Sequence, residues 1–404
     1  MIHRRRRPSQ PPASPAVPPL SPLDDEDLLT EILIRLPPLP SSLPRASLAC
    51  KRWRRLITDR VFLRRFRAHQ HRKPPLLGFF VEDFGAAIFT PTLDPPDRIP
   101  SARFASPRIR KERWVFCGCR HGLALSFNVD RLHATVWDPL TGRRRHVAFP
   151  PGFDNDRENI VRSAAVLCAS REEGHVHGDC HSSPFKLVLV RTDSDRTRAF
   201  ACLYESESNA WGNIISTAIS FKHGISSLIP SVLIGNALYW LIGVNCVLEF
   251  DLEKQSLVVM DQLVDTHVTE YYSFQILRTQ DNGLGLAITS GLSIQLWERK
   301  SNSDGVLRWV LAKTLQLENL LELKPGMEKQ AGTIILGHDE YSNAIFVSIS
   351  TSVFLIQLES LQYKKVVENH NYRFLTTYYP YTNFYATGSA ISGVDEEAEM
   401  LNNT

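Results

Sequence analysis

Cys117, Cys119 and His121 alternate along one predicted strand, and His175, His177, Cys180 and His181 crowd the segment GHVHGDCHSSP. Thiols and imidazoles are ligands that zinc accepts, and a thiol beside an imidazole is also the pair that covalent catalysis needs. Alternation at period two directs residues 117, 119 and 121 to one face of their strand. Neither cluster has the C-x₂₋₄-C pairing of structural zinc modules. The sequence therefore reads as small buried cysteines and a histidine-rich surface loop, with no metal ligand and no cofactor expected. Sequence neighbours on a glycine-containing loop rarely reach nucleophile–base geometry, so Cys180 beside His177 and His181 is not expected to act as a nucleophile. The chain has no G-x-S-x-G elbow, G-x-x-x-x-G-K-[ST] phosphate loop or H-E-x-x-H pair, and GLGLAITSG (283–291) alternates as a strand does. No residue is assigned a catalytic role, and the chain is expected not to be an enzyme.

Two kinds of element carry these residues. Residues 23–67 show helical periodicity. Asp24, Asp25, Glu26 and Asp27 supply the acidic first turn that a helix N-terminus favours, and Leu28, Leu29, Ile32, Leu33 and Leu36 follow as one apolar stripe. Pro37 and Pro38 end it. Ser41 and Ser42, with Pro44 in the first turn, start a second helix bearing Leu43, Ala46, Cys50, Trp53, Leu56 and Ile57, and Asp59 starts a third bearing Val61, Phe62, Leu63 and Phe66. About 45 residues in three helices bury too little apolar surface to stand alone, so the stripe requires a partner.

The amphipathic helix ended by Leu36-Pro37-Pro38, followed by CKRWRRLI (50–57), resembles an F-box. That resemblance implies helices that interlock with the Skp adaptor and, through it, reach a cullin scaffold. Carried over residue by residue, it places Leu23, Leu28, Ile32, Leu36, Pro37, Leu43, Cys50 and Trp53 against the adaptor. Two features depart from the family pattern: Leu23-Asp24 stands where a Leu-Pro pair opens the motif, and the loop LPPLPSSLPR (36–45) is longer by about two residues. Both are expected to act on adaptor affinity rather than on the fold.

After Pro74-Pro75 the pattern changes to short apolar runs between turn residues, an all-β signature. Similar fragments centred on Trp137, Tyr204, Phe250, Trp297 and Gln357 recur at intervals near the ~40–50 residues of a four-stranded propeller blade, which gives about six or seven blades over residues 76–390. In 232–260 a whole blade is legible: strands Val232–Ile234, Leu238–Ile242, Val247–Asp251 and Leu257–Met260, with turns at Gly235-Asn236, 243–245 and Glu253-Lys254. The hairpin with Leu238-Tyr239-Trp240 followed by Phe250-Asp251-Leu252 resembles the F-box-associated β-propellers of plants. The expected fold class is thus α plus all-β: a disordered Arg/Pro-rich arm (1–22), a three-helix F-box (23–70), a β-propeller (76–390) and an acidic tail (391–404). β-Sandwich or jelly-roll alternatives remain open at this point.

Composition bounds the partners. The net charge is +3, yet residues 1–75 hold 16 Lys+Arg against 6 Asp+Glu. The arginines lie on the outer helix faces, which suits acidic protein surfaces, and nucleic acid is not an expected partner. Seven cysteines without a disulfide-like framework fit a reducing cytoplasm or nucleus. The arm MIHRRRRPSQPP lacks the apolar core of a signal peptide, and Arg4–Arg7 form a basic run of the nuclear-import kind. Ser231 to Leu248 run 18 residues without a charge, but the internal Gly235-Asn236 turn argues for paired strands over a membrane helix. The resemblances together imply the substrate-recognition subunit of a Skp–cullin–F-box ubiquitin ligase, its β-domain holding a target protein at unknown residues. Arg171–Pro184, Asp193–Arg198 and Thr266–Tyr272 are candidate ligand-facing segments. The rival readings are an adaptor-independent scaffold and a small-ligand or glycan-binding propeller, the latter motivated by Trp211 and YYPYTNFY (378–385).

Overall fold

The computed structural model describes residues 23, 25–70 and 73–384, apart from 84–85, 105–111, 154–160, 173–174, 178–179, 220–223, 227–228, 244–245, 261–272, 302–303, 323–331 and 369–375. The expected arm (1–22), the tail (391–404), Asp24 and Thr266–Tyr272 lie outside the described residues. Helix α1 (Glu26–Ile34) starts where the sequence places it. The Asp25 carboxylate accepts from the N–H groups of Asp27 (2.8 Å) and Leu28 (3.2 Å), satisfying donors that a helix start leaves open. The expected single second helix is broken into α2 (Ser42–Ser47) and α3 (Lys51–Thr58). Cys50 takes an extended conformation between them, and its Sγ accepts from the Trp53 N–H at 3.5 Å, so this cysteine is a helix cap. In α4 (Arg60–His69), the Asp59 carboxylate accepts from Phe62 N–H at 2.9 Å. Just past α4, the Gln70 side-chain amide donates to the carbonyls of Leu36 (2.8 Å) and Ile34 (3.2 Å), closing the exposed end of α1.

The β-region forms six sheets, which are the six blades of a propeller. Blade two runs from the strand Trp114–Arg120 to Arg144–Ala148, blade three from Val161–Cys168 to Ile215–Ala218, blade four from Val232–Ile234 to Ser256–Met260, blade five from Phe274–Arg278 to Leu307–Gln316, and blade six from Thr333–Asp339 to Tyr363–Val367. Blade one joins distant parts of the chain. Leu76–Asp83 pairs on one side with Ala86–Pro91 and on the other with Tyr378–Thr382, so a strand from the far end of the β-region closes the ring. Trp137, Tyr204, Phe250, Trp297 and Gln357, the residues taken as equivalents, all fall on the third strand of their blades.

Six apolar clusters fill the seams between successive blades all the way round. Period two explains how one strand serves two seams. Leu187 and Leu189 face blade two, whereas Val188 and Val190 of the same strand face blade four. Strands buried on both faces read as continuous apolar runs, as FKLVLVRT (185–192) does.

At the closing seam the backbones come very close. A Cβ placed on Gly337 would stand 2.1 Å from the Tyr378 carbonyl oxygen. Because the obstacle is backbone, Gly337→Ala is expected to cost about 1–3 kcal/mol, read as a lowered urea midpoint with unchanged slope.

The helices do not stand apart from the propeller. Leu29, Leu33, Ile34, Leu43, Ile57, Phe62 and Phe66 share one buried cluster with Val176, from the loop after the first strand of blade three, and with Phe384, just past the closing strand. The Ser41 N–H also donates to the Asp97 carboxylate at 2.8 Å. The helical unit, too small to be stable alone, completes its core with propeller residues.

Candidate functional site

Helix α1 presents two apolar faces rather than one stripe. Leu29 and Leu33 point into the shared core, while Leu28 and Ile32 remain 50 % and 46 % exposed. Of the residues assigned to the adaptor, Leu23, Leu28, Ile32, Pro37 and Cys50 are exposed. Leu36 and Trp53 are half-buried against the helical core, and Leu43 is buried inside it. Leu48, and Val61 from the apolar set of the last helix, neither of them assigned to the adaptor, are exposed as well. Isolated exposed leucines are ordinary, but Leu28 and Ile32 stand one turn apart on the same face of α1, so two large apolar side chains are left open side by side.

A second polar concentration lies inside the propeller, at the end where first strands turn into second strands. Arg120 ends the first strand of blade two, and its guanidinium contacts the Glu340 carboxylate of blade six at 2.6 Å, both side chains being almost fully buried. The same Nη2 donates to the Ser231 carbonyl of blade four at 2.7 Å. Glu340 accepts from the Leu233 N–H at 3.1 Å, and its carbonyl accepts from Arg278 of blade five at 2.6 Å. Four blades are thereby tied through one ion pair. Burial would raise the Glu340 carboxyl, but the Arg120 charge and hydrogen bonds outweigh it and hold the group below its ordinary value.

Beside this pair is a cavity of about 50 Å³ lined by Cys119, Arg120, Ser231, His338 and Tyr341 among others, enough for one or two waters. Burial pushes His338 down to about 4. The unfolded chain takes that proton near pH 6.5, so between about 6.5 and 4 the unfolded state binds more protons and stability falls as pH drops. The expected loss at pH 5 is about 2 kcal/mol. Urea denaturation near pH 7.5 and pH 5 checks it, with His338→Asn showing a shallower dependence.

The cysteine and histidine residues are sorted in a way the sequence did not show. Cys117, Cys119 and His121 do not share a face, because a bulge between Phe116 and Gly118 shifts the register. Cys117 packs in the seam between blades two and three, Cys119 in the seam between blades one and two, and His121 sits in the following turn with a positive φ of 57°. The described residues of GHVHGDCHSSP are likewise not on a loose surface loop. His175, His177 and Cys180 converge with Cys168, the last residue of the first strand of blade three, and their four ligand atoms lie within 4.8 Å of one another. No metal ligand is expected from the sequence, and these four residues are placed so that they could hold one ion. The signal was present as C-x₆-H-x-H-x₂-C, a pattern that the sequence analysis, centred on 175–181, does not include because Cys168 stands apart from that segment. The side chain of His181 lies outside the described residues.

Sulfur–nitrogen distances are 3.3 Å from Cys168 to His175 Nε2, 3.5 Å from Cys180 to His175 Nε2 and 3.6 Å from Cys180 to His177 Nδ1. His121 completes the surroundings. Its Nδ1 accepts from the Cys168 N–H at 3.0 Å, and its ring stacks on His177 with centroids 3.6 Å apart. The interaction with Cys180 leads the causes that pull the Cys168 thiol down to about 4, while burial holds His121 well below the usual imidazole range. A set of two sulfurs and two imidazole nitrogens can hold a tetrahedral metal, and a low thiol pKa suits metal ligation.

Other candidate segments fare differently. Asp193–Arg198 is a tight turn closed on itself, with the Asp193 carboxylate accepting from Thr197 N–H (2.7 Å), Thr197 Oγ1 (2.6 Å) and Arg198 N–H (3.0 Å). The aromatics that motivated a glycan-binding reading are not on offer: Tyr378, Tyr379 and Tyr381 are buried in blade seams, and Trp211 packs on Tyr204 while donating to the Ala148 carbonyl at 2.9 Å. Residues 231–248 form paired strands, and among the described residues no helix is long and apolar enough to cross a membrane.

Comparison with known proteins agrees with these two units. Residues 25–65 match the F-box domain, and residues 115–386 match the family described as F-box protein AT5G49610-like, beta-propeller. The F-box/kelch-repeat protein At3g61590 of Arabidopsis thaliana is 28% identical over 224 residues, covering 54% of this chain and 51% of that protein, so the chain spans about half the length of this relative. Among solved structures, a nidogen/laminin complex matches with TM-score 0.39 and 10% identity, covering 75% of this chain and 96% of that one. The PQQ-bound aldose sugar dehydrogenase of Streptomyces coelicolor matches with TM-score 0.35 and 11% identity, covering 65% and 83%. Likenesses this low carry no functional weight. The family match covers the propeller from blade two through the closing strand, and with the F-box ahead of it this chain belongs to the AT5G49610-like β-propeller family of F-box proteins.

Proposed function

We propose that the chain is the substrate-recognition subunit of a Skp–cullin–F-box ubiquitin ligase. The observation that carries this reading is the outward row Leu28 and Ile32 of α1, exposed on a helical unit whose inward row is already used against the propeller. F-box domains generally bind the Skp adaptor, and the exposed row is the surface left for it. The propeller contributes no catalytic constellation to this reading. It is a rigid platform that holds a target near the ubiquitin-conjugating machinery, raising the effective concentration of a target lysine.

Topology supports a target-facing end opposite the F-box. The F-box touches the loop between first and second strands of blade three, and successive strands run antiparallel. Turns between second and third strands, including 129–132, 193–197, 291–292 and 350–351, therefore lie at the opposite end, where a target can be held without displacing the F-box. The cytoplasm or nucleus is the compartment this role requires.

Co-purification of the full chain with the Skp adaptor tests the reading. A stoichiometric complex that Leu28→Asp removes supports it. A well-folded chain that forms no such complex sinks it and favours an adaptor-independent scaffold.

A further inference from the structure

We propose that Cys168, His175, His177 and Cys180 bind one zinc ion, and that this ion fixes the loop through which the propeller seats the F-box. Each residue offers one ligand atom, and the set is the two-sulfur, two-nitrogen donor group of structural zinc sites. Three of the six ligand-to-ligand distances have the length of a tetrahedral edge, and all six are within 4.8 Å. With Zn–S of ~2.3 Å and Zn–N of ~2.05 Å, a tetrahedral centre puts sulfur and nitrogen about 3.5 Å apart. The three sulfur–nitrogen distances here are 3.3, 3.5 and 3.6 Å. Two thiolates exclude magnesium and calcium as natural occupants, and four protein ligands leave no open position for substrate water, so the site is structural rather than catalytic.

The surroundings are those of a built site. Cys180 is buried and the other three ligands are half-buried. His121 lies flat on His177 and holds the Cys168 backbone through its Nδ1, which limits both ligands to the orientations seen. Tyr341 of blade six stands 6.4 Å from the His121 ring and also lines the cavity beside the Arg120–Glu340 pair, so the cluster and that pair are near neighbours.

What the ion would do follows from the residue between two of its ligands. Val176 lies between His175 and His177, is buried, and joins Leu29, Leu33, Phe62 and Phe66 in the F-box core. Fixing both neighbours fixes Val176. Without an ion, the four side chains are joined by thiol–imidazole contacts beside a few backbone hydrogen bonds such as His175 N–H to the Glu172 carbonyl, a weaker hold on the wall against which the F-box packs.

The first test is made on the wild-type full chain, purified without chelator and dialysed against zinc, then against metal-free buffer. One zinc per chain by elemental analysis is expected. Replacement by cobalt should give the visible absorption of a tetrahedral centre together with thiolate-to-cobalt charge transfer, both lost in Cys180→Ser. Folded wild-type protein that retains no zinc and gives no cobalt spectrum overturns the site, as does a Cys168–Cys180 disulfide found by mass spectrometry in the same preparation. Hydrogen exchange then tests the seat. On metal removal, amide exchange in residues 26–69 should quicken by about tenfold or more while the strands of blade five are unchanged. Stoichiometric zinc whose removal leaves F-box exchange unaltered overturns the seating role.

Discussion

Leu28→Asp combined with Ile32→Asp is expected to weaken adaptor binding by about 100- to 1,000-fold while leaving the melting temperature within a degree or two. Buried apolar anchors at an interface commonly account for at least about 2 kcal/mol each, and two carboxylates forced into an apolar contact add a desolvation cost. In the free chain both side chains already face water, so the folded state loses little. Leu36→Asp or Trp53→Ala makes a poorer probe, since both residues are partly packed in the helical core and their loss would confound binding with folding. Calorimetry of adaptor binding, read beside thermal melts of the same samples, separates the two effects. Tight binding by the double variant would remove α1 from the adaptor surface.

Arg120→Ala is expected to destabilise the propeller by about 3–5 kcal/mol. Removing the guanidinium leaves the buried Glu340 carboxylate without its counter-charge and strips the Ser231 carbonyl of a donor. The penalty is mainly that of an uncompensated charge, so the double variant Arg120→Met, Glu340→Gln should recover a large part of it. Equal destabilisation of the single and double variants in urea would show that the pair acts through packing and not through charge.

The sequence disclosed what depends on local periodicity. Blade four emerged almost strand for strand, because Gly235-Asn236 marks a tight turn and the flanking runs alternate between two seams. The inward and outward rows of α1 could not be separated, since Leu28 and Leu29 are chemically alike and only the docking of the propeller decides which is buried. Blade one escaped for a different reason. Its strands at 76–91 and 378–382 pair across nearly the whole β-region, and no local pattern encodes that pairing. The Cys168 cluster was hidden because its first member sits at a strand end seven residues from the next, a spacing that resembles no compact zinc motif. Cys50 was assigned by family position alone, whereas its local role as the cap of α3 is readable only from the backbone.

Closure by Tyr378–Thr382 also dictates an order of events during synthesis. The F-box helices leave the ribosome first, but the ring cannot shut until residue 382 has followed, roughly 300 residues later. At about 5–20 residues per second that is an interval of about 15–60 s during which blades two to six emerge as an open arc, and until its end both seams of blade one lack their tyrosines Tyr378, Tyr379 and Tyr381. A chain interrupted before that strand lacks both the seal of the ring and Phe384, one of the residues that complete the helical core, so it carries neither a finished platform nor fully walled helices.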